Sequence, residues 1–392
     1  MGIKRAGVVA GVVVALVAGA APGVRASADS PVRAALARVV EAGVPGSYAA
    51  VVEETGTWRG SAGVGDVRTG RAPDPRGRIR VASVTKTFVA TVVLQLVGEG
   101  RIRLDDPVGD HLPGLLPYAE PITVRQLLGH TSGVPRDITH WQTLEEVDTE
   151  RWEAFEPRRL VRLATDGVPL LFPPGTGFSY SNTGYTVLGL LVERVTGRPL
   201  ATELERRVFR PLHLRDTSFP SYQPFLPFPA AHGYERLHGE QAPLTDVTTY
   251  VWSRLWASGN LVSTPDDLNR FFRALLGGRL VRADLLARMK DVRPGALGPF
   301  GYGLGLMGVT SPCGGPDWWG HGGDVPGYNT WSMHTDDLAR QVSAGMNQDI
   351  TAPAAAHQHM LLSVVTTGLC GAAPVAAAAA GERVPYLGPT LP

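Results

Sequence analysis

Ser83-Val84-Thr85-Lys86 sets a hydroxyl and an amine three residues apart. On a helix that spacing puts both on one face, and the free N–H groups of a first turn favour developing negative charge. A serine whose proton is taken by a neighbouring amine is an activated nucleophile. Residue usage bears on the lysine, because the chain uses arginine almost everywhere and keeps lysine only at Lys4, Lys86 and Lys290. Arginine does not give up its proton in a protein, whereas a buried lysine does. Alone, the spacing also fits an ordinary solvated lysine.

Two further clusters have complementary chemistry. Tyr180-Ser181-Asn182 follows the turn Pro173-Pro174-Gly175. A tyrosine hydroxyl can take and return a proton beside an ammonium group, and an asparagine both donates to and accepts from a substrate amide. The bland alternative is a helix entrance, with Asn182 as N-cap and Tyr180 as packing. Trp319-Gly320-His321-Gly322-Gly323-Asp324 reads as an edge strand whose small residues let a substrate backbone lie close and whose N–H groups serve an oxyanion hole. Its alternative is a tight glycine turn around a structural histidine.

The elements that must position these clusters follow from periodicity. Phe88, Val92 and Leu96, with Val89, Val93, Leu94 and Val97, have the spacing of a helix buried on most sides, with Ser83 in its first turn. Ahead of it, Pro31 to Ala42 reads as a helix, and Tyr48–Val52 with Thr57–Val64 as a strand pair turning at Glu54-Thr55-Gly56. A short helix from Thr123 should run to Gly133, an amphipathic helix from Thr183 to Gly197, and another over Glu203–Phe209. Thr264-Pro265-Asp266-Asp267 is a helix start, and Ala283–Met289 gives one more helix. Gly301–Met307, Trp318–His321, Tyr328–His334 and Arg340–Met346 are strand candidates, and Pro353–Leu369 a terminal helix. The order implies one α/β lobe interrupted by a helical lobe: 29–105 and 258–370 around 106–257.

Composition limits the function classes. Residues 1–28 read as a secretory signal peptide, with Lys4 and Arg5, an apolar run, and Ala26-Ser27-Ala28 for cleavage. The expected product is secreted and extracellular, without a stable membrane anchor. Without Lys4, Arg5 and Arg25 the formal charge of +1 becomes −2, which gives nucleic-acid binding no electrostatic support. The two cysteines, Cys313 and Cys370, most simply form a disulfide in an oxidising compartment. Metal catalysis lacks a motif, since His357 and His359 are two apart and no HExxH occurs, and no cofactor fingerprint is present. Residues 371–392 are low-complexity and read as a disordered tail.

Taken in order, Ser83-Val84-Thr85-Lys86, Tyr180-Ser181-Asn182 and His321-Gly322-Gly323 resemble the SxxK, YxN and HxG motifs of one serine enzyme family. It contains the actinomycete-type D-alanyl-D-alanine carboxypeptidases (DD-peptidases), class C β-lactamases and related esterases. ITVRQLLGHTSG from Ile122, GYGLGL from Gly301 and GHGGDVPGYNT from Gly320 agree with it, so the likeness spans about residues 31–370. The resemblance implies an α/β (α+β) fold, an antiparallel sheet flanked by helices with an inserted all-helical lobe. It implies Ser83 as nucleophile, Lys86 with Tyr180 as base and later acid, and Asn182 on the substrate acyl side. His321 would take the place of the third-motif cation or donor, beside Gly322 and Gly323, and the N–H groups of Ser83 and Asp324 would form the oxyanion hole.

The implied activity is acyl transfer from a small-molecule or peptide-like amide or ester to water or an amine. The alternatives are an esterase or ester-to-amide transacylase of specialised metabolism, and a silent cell-wall-binding scaffold on the same fold. One departure bears on substrate: where carboxypeptidases of this type resemble HTGT, this chain has Asp324, and no Lys or Arg occurs between Arg293 and Arg340. A free substrate carboxylate therefore lacks an expected partner, which points to a neutral leaving side. Asp324 is the expected partner of a cationic amine acceptor.

Overall fold

The computed structural model describes Gly2 and residues 30–136, 141, 143–353 and 359–371. The signal segment, apart from Gly2, and the tail beyond Gly371 lie outside the described residues.

Twelve strands are described: β1 (Gly46–Glu53), β2 (Gly56–Gly63), β3 (Ile79–Arg80), β4 (Tyr234–Glu235), β5 (Thr245–Asp246), β6 (Val262–Ser263), β7 (Arg293–Leu297), β8 (Phe300–Tyr302), β9 (Met307–Val309), β10 (Trp318–Val325), β11 (Tyr328–Thr335) and β12 (Gln341–Met346). Eight of them form one antiparallel sheet in the order β2-β1-β12-β11-β10-β9-β8-β7. β3 pairs with β6 and β4 with β5 in two short ladders. Chain ends meet across the sheet, because the first strands zip onto the last one, Ala49 opposite Ala344.

Each face of the sheet is covered by helices, as its two-sided burial demands. The helices Pro31–Glu41 and His359–Cys370 close one face, where Leu36, Val39, Leu361 and Val365 pack on Trp331, Val342 and Ala344. Cys313 and Cys370 are disulfide-bonded at that helix's end. The other face carries Thr85–Gly98 and Pro265–Leu276, joined by the stacked rings of Phe88 and Phe271, 3.6 Å between centroids. Thr264 caps the latter helix by accepting the Asp267 N–H, Pro265 occupies its first position, and Asp266 pairs with Arg59 of β2. Between residues 106 and 257 the described elements are helices and long connections, apart from β4 and β5.

Several expectations shift on contact with the structure. The helix after Thr123 ends at Leu128 instead of Gly133, because Gly129 caps it and His130 takes a left-handed φ of 56°. The helix Asn182–Thr196 is buried on nearly all sides over its first three turns and so is not amphipathic there. Gly301–Met307 is two strands, since Gly303–Gly305 turns back, and a Cβ on Gly305 would lie 2.4 Å from Ala90 Cβ. β7 escapes the periodicity because Pro294 and Gly295 interrupt it.

Candidate active site

Ser83 sits in a short 3-10 turn, Ala82–Val84, that runs directly into the helix Thr85–Gly98. The expected first-turn placement is thus a tighter turn leading the helix. Ala82 before it holds a left-handed φ of 46°, a strained conformation of the kind that concentrates at functional sites. The turn is held by β10: a Cβ on Gly323 would lie 2.4 Å from the Val81 carbonyl oxygen and 2.8 Å from the Ser83 nitrogen. Only glycine permits that approach, which brings the strand preceding the Asp324 N–H against the Ser83 amide.

Lys86 is fully buried, and its Nζ lies 3.0 Å from Ser83 Oγ, 2.8 Å from Asn182 Oδ1 and 2.9 Å from the Ser258 carbonyl. Two of these partners can only accept, so two N–H groups are committed to them. Toward Ser83 the nitrogen then presents either a third N–H, when charged, or its lone pair, when neutral. The same arrangement serves both protonation states, which is what a base that later returns its proton requires.

Tyr180 completes the group, with Lys86 Nζ 4.7 Å from its ring centroid. Its hydroxyl is buried and has no well-formed hydrogen bond among the described residues, although the Ser83 hydroxyl is close enough to act on it. Burial pushes the phenol well above its ordinary value, and Ser83 and Arg136 pull the other way without reversing it. Tyr180 therefore rests as the neutral phenol.

Asn182 does not cap its helix. Ser181 does, accepting the Gly184 N–H at 3.0 Å, and this leaves the Asn182 side chain for Lys86. The Ser258 carbonyl arrives because Gly189 lets the helix Trp256–Gly259 pack close; a Cβ there would lie 2.6 Å from Ala257 Cβ.

The structure bears on the third motif at three points. β10 lies inside the sheet order, but β9 pairs only with its Trp318–Gly320, so from His321 onward β10 has β11 on one side and, among the described residues, no strand on the other. Of the two roles the resemblance left open for His321, cation or donor, the cation does not fit: the ring is fully buried, and burial lowers it to about 3. Its Nδ1–H donates to the Gly322 carbonyl at 2.5 Å, and Nε2 accepts the Tyr302 hydroxyl at 3.1 Å. Gly322, next to it, has its would-be Cβ 2.8 Å from the Trp331 ring. Asp324, the expected partner of a cationic amine acceptor, is buried too, with Asn329 Nδ2 donating to it at 2.5 Å.

A cation does reach the site, from a segment that inspection of residues 294–339 could not reveal. The Arg136 carbonyl accepts the Thr183 N–H at 2.9 Å and the Thr183 hydroxyl, and its guanidinium lies 5.6 Å from the Tyr180 ring centroid. Arg136, Ser258, His130, Tyr185 and Tyr302 are the neighbours that residue spacing missed. The runs around His130 and Tyr302 were visible only as parts of a family likeness, and Tyr185 only as a member of the predicted helix, none with a role.

The chain matches the beta-lactamase family over residues 28–364, and it belongs to that family. It is 32% identical over 309 residues to penicillin-binding protein 4 of Amycolatopsis lactamdurans, covering 73% of this chain and 74% of that one. To esterase EstB of Burkholderia gladioli it is 37% identical over 184 residues, 43% of this chain and 45% of the other. A solved structure of a D-stereospecific amidohydrolase from Streptomyces sp. superposes with a TM-score of 0.76 at 35% identity, covering 87% of this chain and 98% of that one. The relatives are serine hydrolases, and the antiparallel sheet with flanking helices is their fold.

Proposed function

We propose that this beta-lactamase-family chain is a secreted serine acyl-transfer enzyme that opens a peptide-like amide or ester through an acyl-enzyme on Ser83. The observation that carries the reading is the 3.0 Å contact between Ser83 Oγ and the buried Lys86 Nζ, whose other contacts commit two N–H groups. In the neutral state Lys86 takes the Ser83 proton as Oγ attacks the carbonyl carbon. The N–H groups of Ser83 and Asp324 receive the oxyanion. When the tetrahedral centre collapses, the departing amine or alcohol takes the proton back, relayed by Tyr180, and the acyl group stays on Ser83. Water or an amine then attacks, giving up its proton by the reverse route.

The names of the relatives support a D-configured acyl donor, and the esterase among them keeps ester cleavage in view. Asp324 is tied to Asn329, and Arg136 stands on the opposite side of the charge balance, so the donor's charge is a question for Arg136 as much as for Asp324. The test is a panel of matched D- and L-amino-acid amides, methyl esters and free-acid dipeptides, followed by the mass of the trapped acyl-enzyme. Acylation by D-amides and esters ahead of their L-counterparts is the expected result. Equal rates for both configurations overturn the D-donor reading, and an unacylated Ser83 throughout overturns acyl transfer.

A further inference from the structure

His130 is unusual for a buried residue on two counts. It holds a left-handed φ of 56°, which costs any side chain but glycine, and its Nε2 is buried with no hydrogen-bond partner among the described residues. A leucine would fill comparable space without an unmet polar atom, and a glycine would relieve the backbone. The strain accordingly asks for a function.

Its contacts supply one. The His130 carbonyl accepts the Ser179 N–H at 3.0 Å, and His130 Nδ1 accepts the Ser181 N–H at 3.0 Å. The two bonds flank Tyr180, so one residue grips the backbone on both sides of it. Since Nδ1 accepts, the ring proton is on Nε2. The imidazole also lies against the Tyr180 ring, 4.3 Å between centroids, and against Tyr302 at 4.7 Å and Tyr185 at 5.2 Å. At this left-handed residue, carbonyl and ring both engage the same short stretch of chain, 179–181. Beyond Tyr180, Ser181 is pinned by its cap and by donating to the Pro135 carbonyl at 2.9 Å, and Asn182 by Lys86.

We propose that His130 is a positioning residue for acyl transfer, accepting the N–H groups on either side of Tyr180 and thereby fixing the direction in which the Tyr180 hydroxyl meets Ser83. This rests on the reading of Tyr180 as proton carrier. The ring must stay neutral to accept at Nδ1; burial holds it so, with the positive charges of Lys86 and Arg136 acting in the same sense. Tyr180, Tyr185 and Tyr302 face it from the remaining sides and carry no charge at rest.

The experiment measures the rate of labelling by a fluorophosphonate probe in full-length wild type, His130→Leu, His130→Asn, Tyr180→Phe and the double variant His130→Leu/Tyr180→Phe, each checked for folding by near-ultraviolet circular dichroism. His130→Leu should lower the maximal labelling rate about tenfold or more, with half-saturation changed less than about twofold, since misaiming a group costs rate more than binding. His130→Asn, which keeps an acceptor at that reach and tolerates positive φ, should recover most of the rate. The double variant should be no slower than Tyr180→Phe, because the two act as one unit. If His130→Leu does not fold, His130→Gly takes its place. A folded His130→Leu with wild-type labelling, an Asn variant as slow as the Leu variant, or losses that simply multiply in the double variant would each overturn the proposal. Wild-type labelling in Tyr180→Phe would instead overturn the underlying reading of Tyr180.

Discussion

The inner site and its rim are built on opposite principles. Ser83, Lys86, Tyr180 and Asn182 are all at least nine-tenths buried, and each is fixed by more than one element. The rim beside them is loose by comparison. Arg136 is half-buried, and the segment Pro220–Pro229 shows Phe225 and Phe228 to solvent at 65% and 81% exposure. That segment is anchored at scattered points: Arg80, three residues before Ser83, donates to the Pro224 carbonyl, Arg78 to that of Phe228, and the Tyr222 hydroxyl to Glu156. A buried, multiply held group has little freedom to change its chemistry, whereas an exposed side chain on an anchored loop can vary without disturbing it. On the proposed function, the contrast leaves reaction type to the inner site and makes the margin at Arg136 the place to test for choice of donor.

Breaking the inner site should be costly in rate. Lys86→Ala and Tyr180→Phe are each expected to lower acylation by at least about a hundredfold, measured as burst rate with a D-amino-acid anilide. Tyr180→Phe with an unchanged burst would move the proton work to Lys86 alone.

The same burial makes acid a selective weapon against the inner region. His130, His321 and His334 are held neutral by burial, His321 and His334 down to about 3. The unfolded chain takes up protons near pH 6.5 that the folded chain refuses. Stability from these groups is therefore full above about pH 6.5 and is lost as pH falls below it, toward about 3 for His321 and His334, by up to about 1.4 kcal/mol per pH unit for each histidine. Glu235 and Asp267, whose carboxyls burial raises, act in the opposite sense and soften the acid end. Urea unfolding midpoints should fall steadily from about pH 7 to about pH 4. A flat profile would contradict buried neutral histidines.

The difference between the regions also explains what could be read from residues alone. The nucleophile helix, the Thr264 cap and the strands after Trp318 follow from local periodicity and capping chemistry, which are written in consecutive residues. Ser258 and Arg136 were illegible because tertiary packing delivers them: Ser258 through the close contact at Gly189, Arg136 through the clip to Thr183. His321 has the right position for the third motif, yet its burial against Tyr302 fixes it as neutral, and burial is not a local property of its neighbours in sequence.

At the rim the expected effects are smaller. Arg136→Ala should lower kcat/KM for a free-acid D-dipeptide relative to its amide by about tenfold, the worth of one charge-assisted contact, while leaving ester hydrolysis within about twofold. A uniform loss across all donors would place Arg136 with the inner site and erase the distinction.

The central claim is that the Ser83–Lys86 contact is a working nucleophile and base. It is tested most directly by rapid-quench mass spectrometry of wild type and Ser83→Ala after mixing with a D-amino-acid ester. The account predicts an acyl adduct on the Ser83 peptide of wild type within the burst and none in the variant. A burst and adduct in Ser83→Ala equal to those of wild type would contradict it.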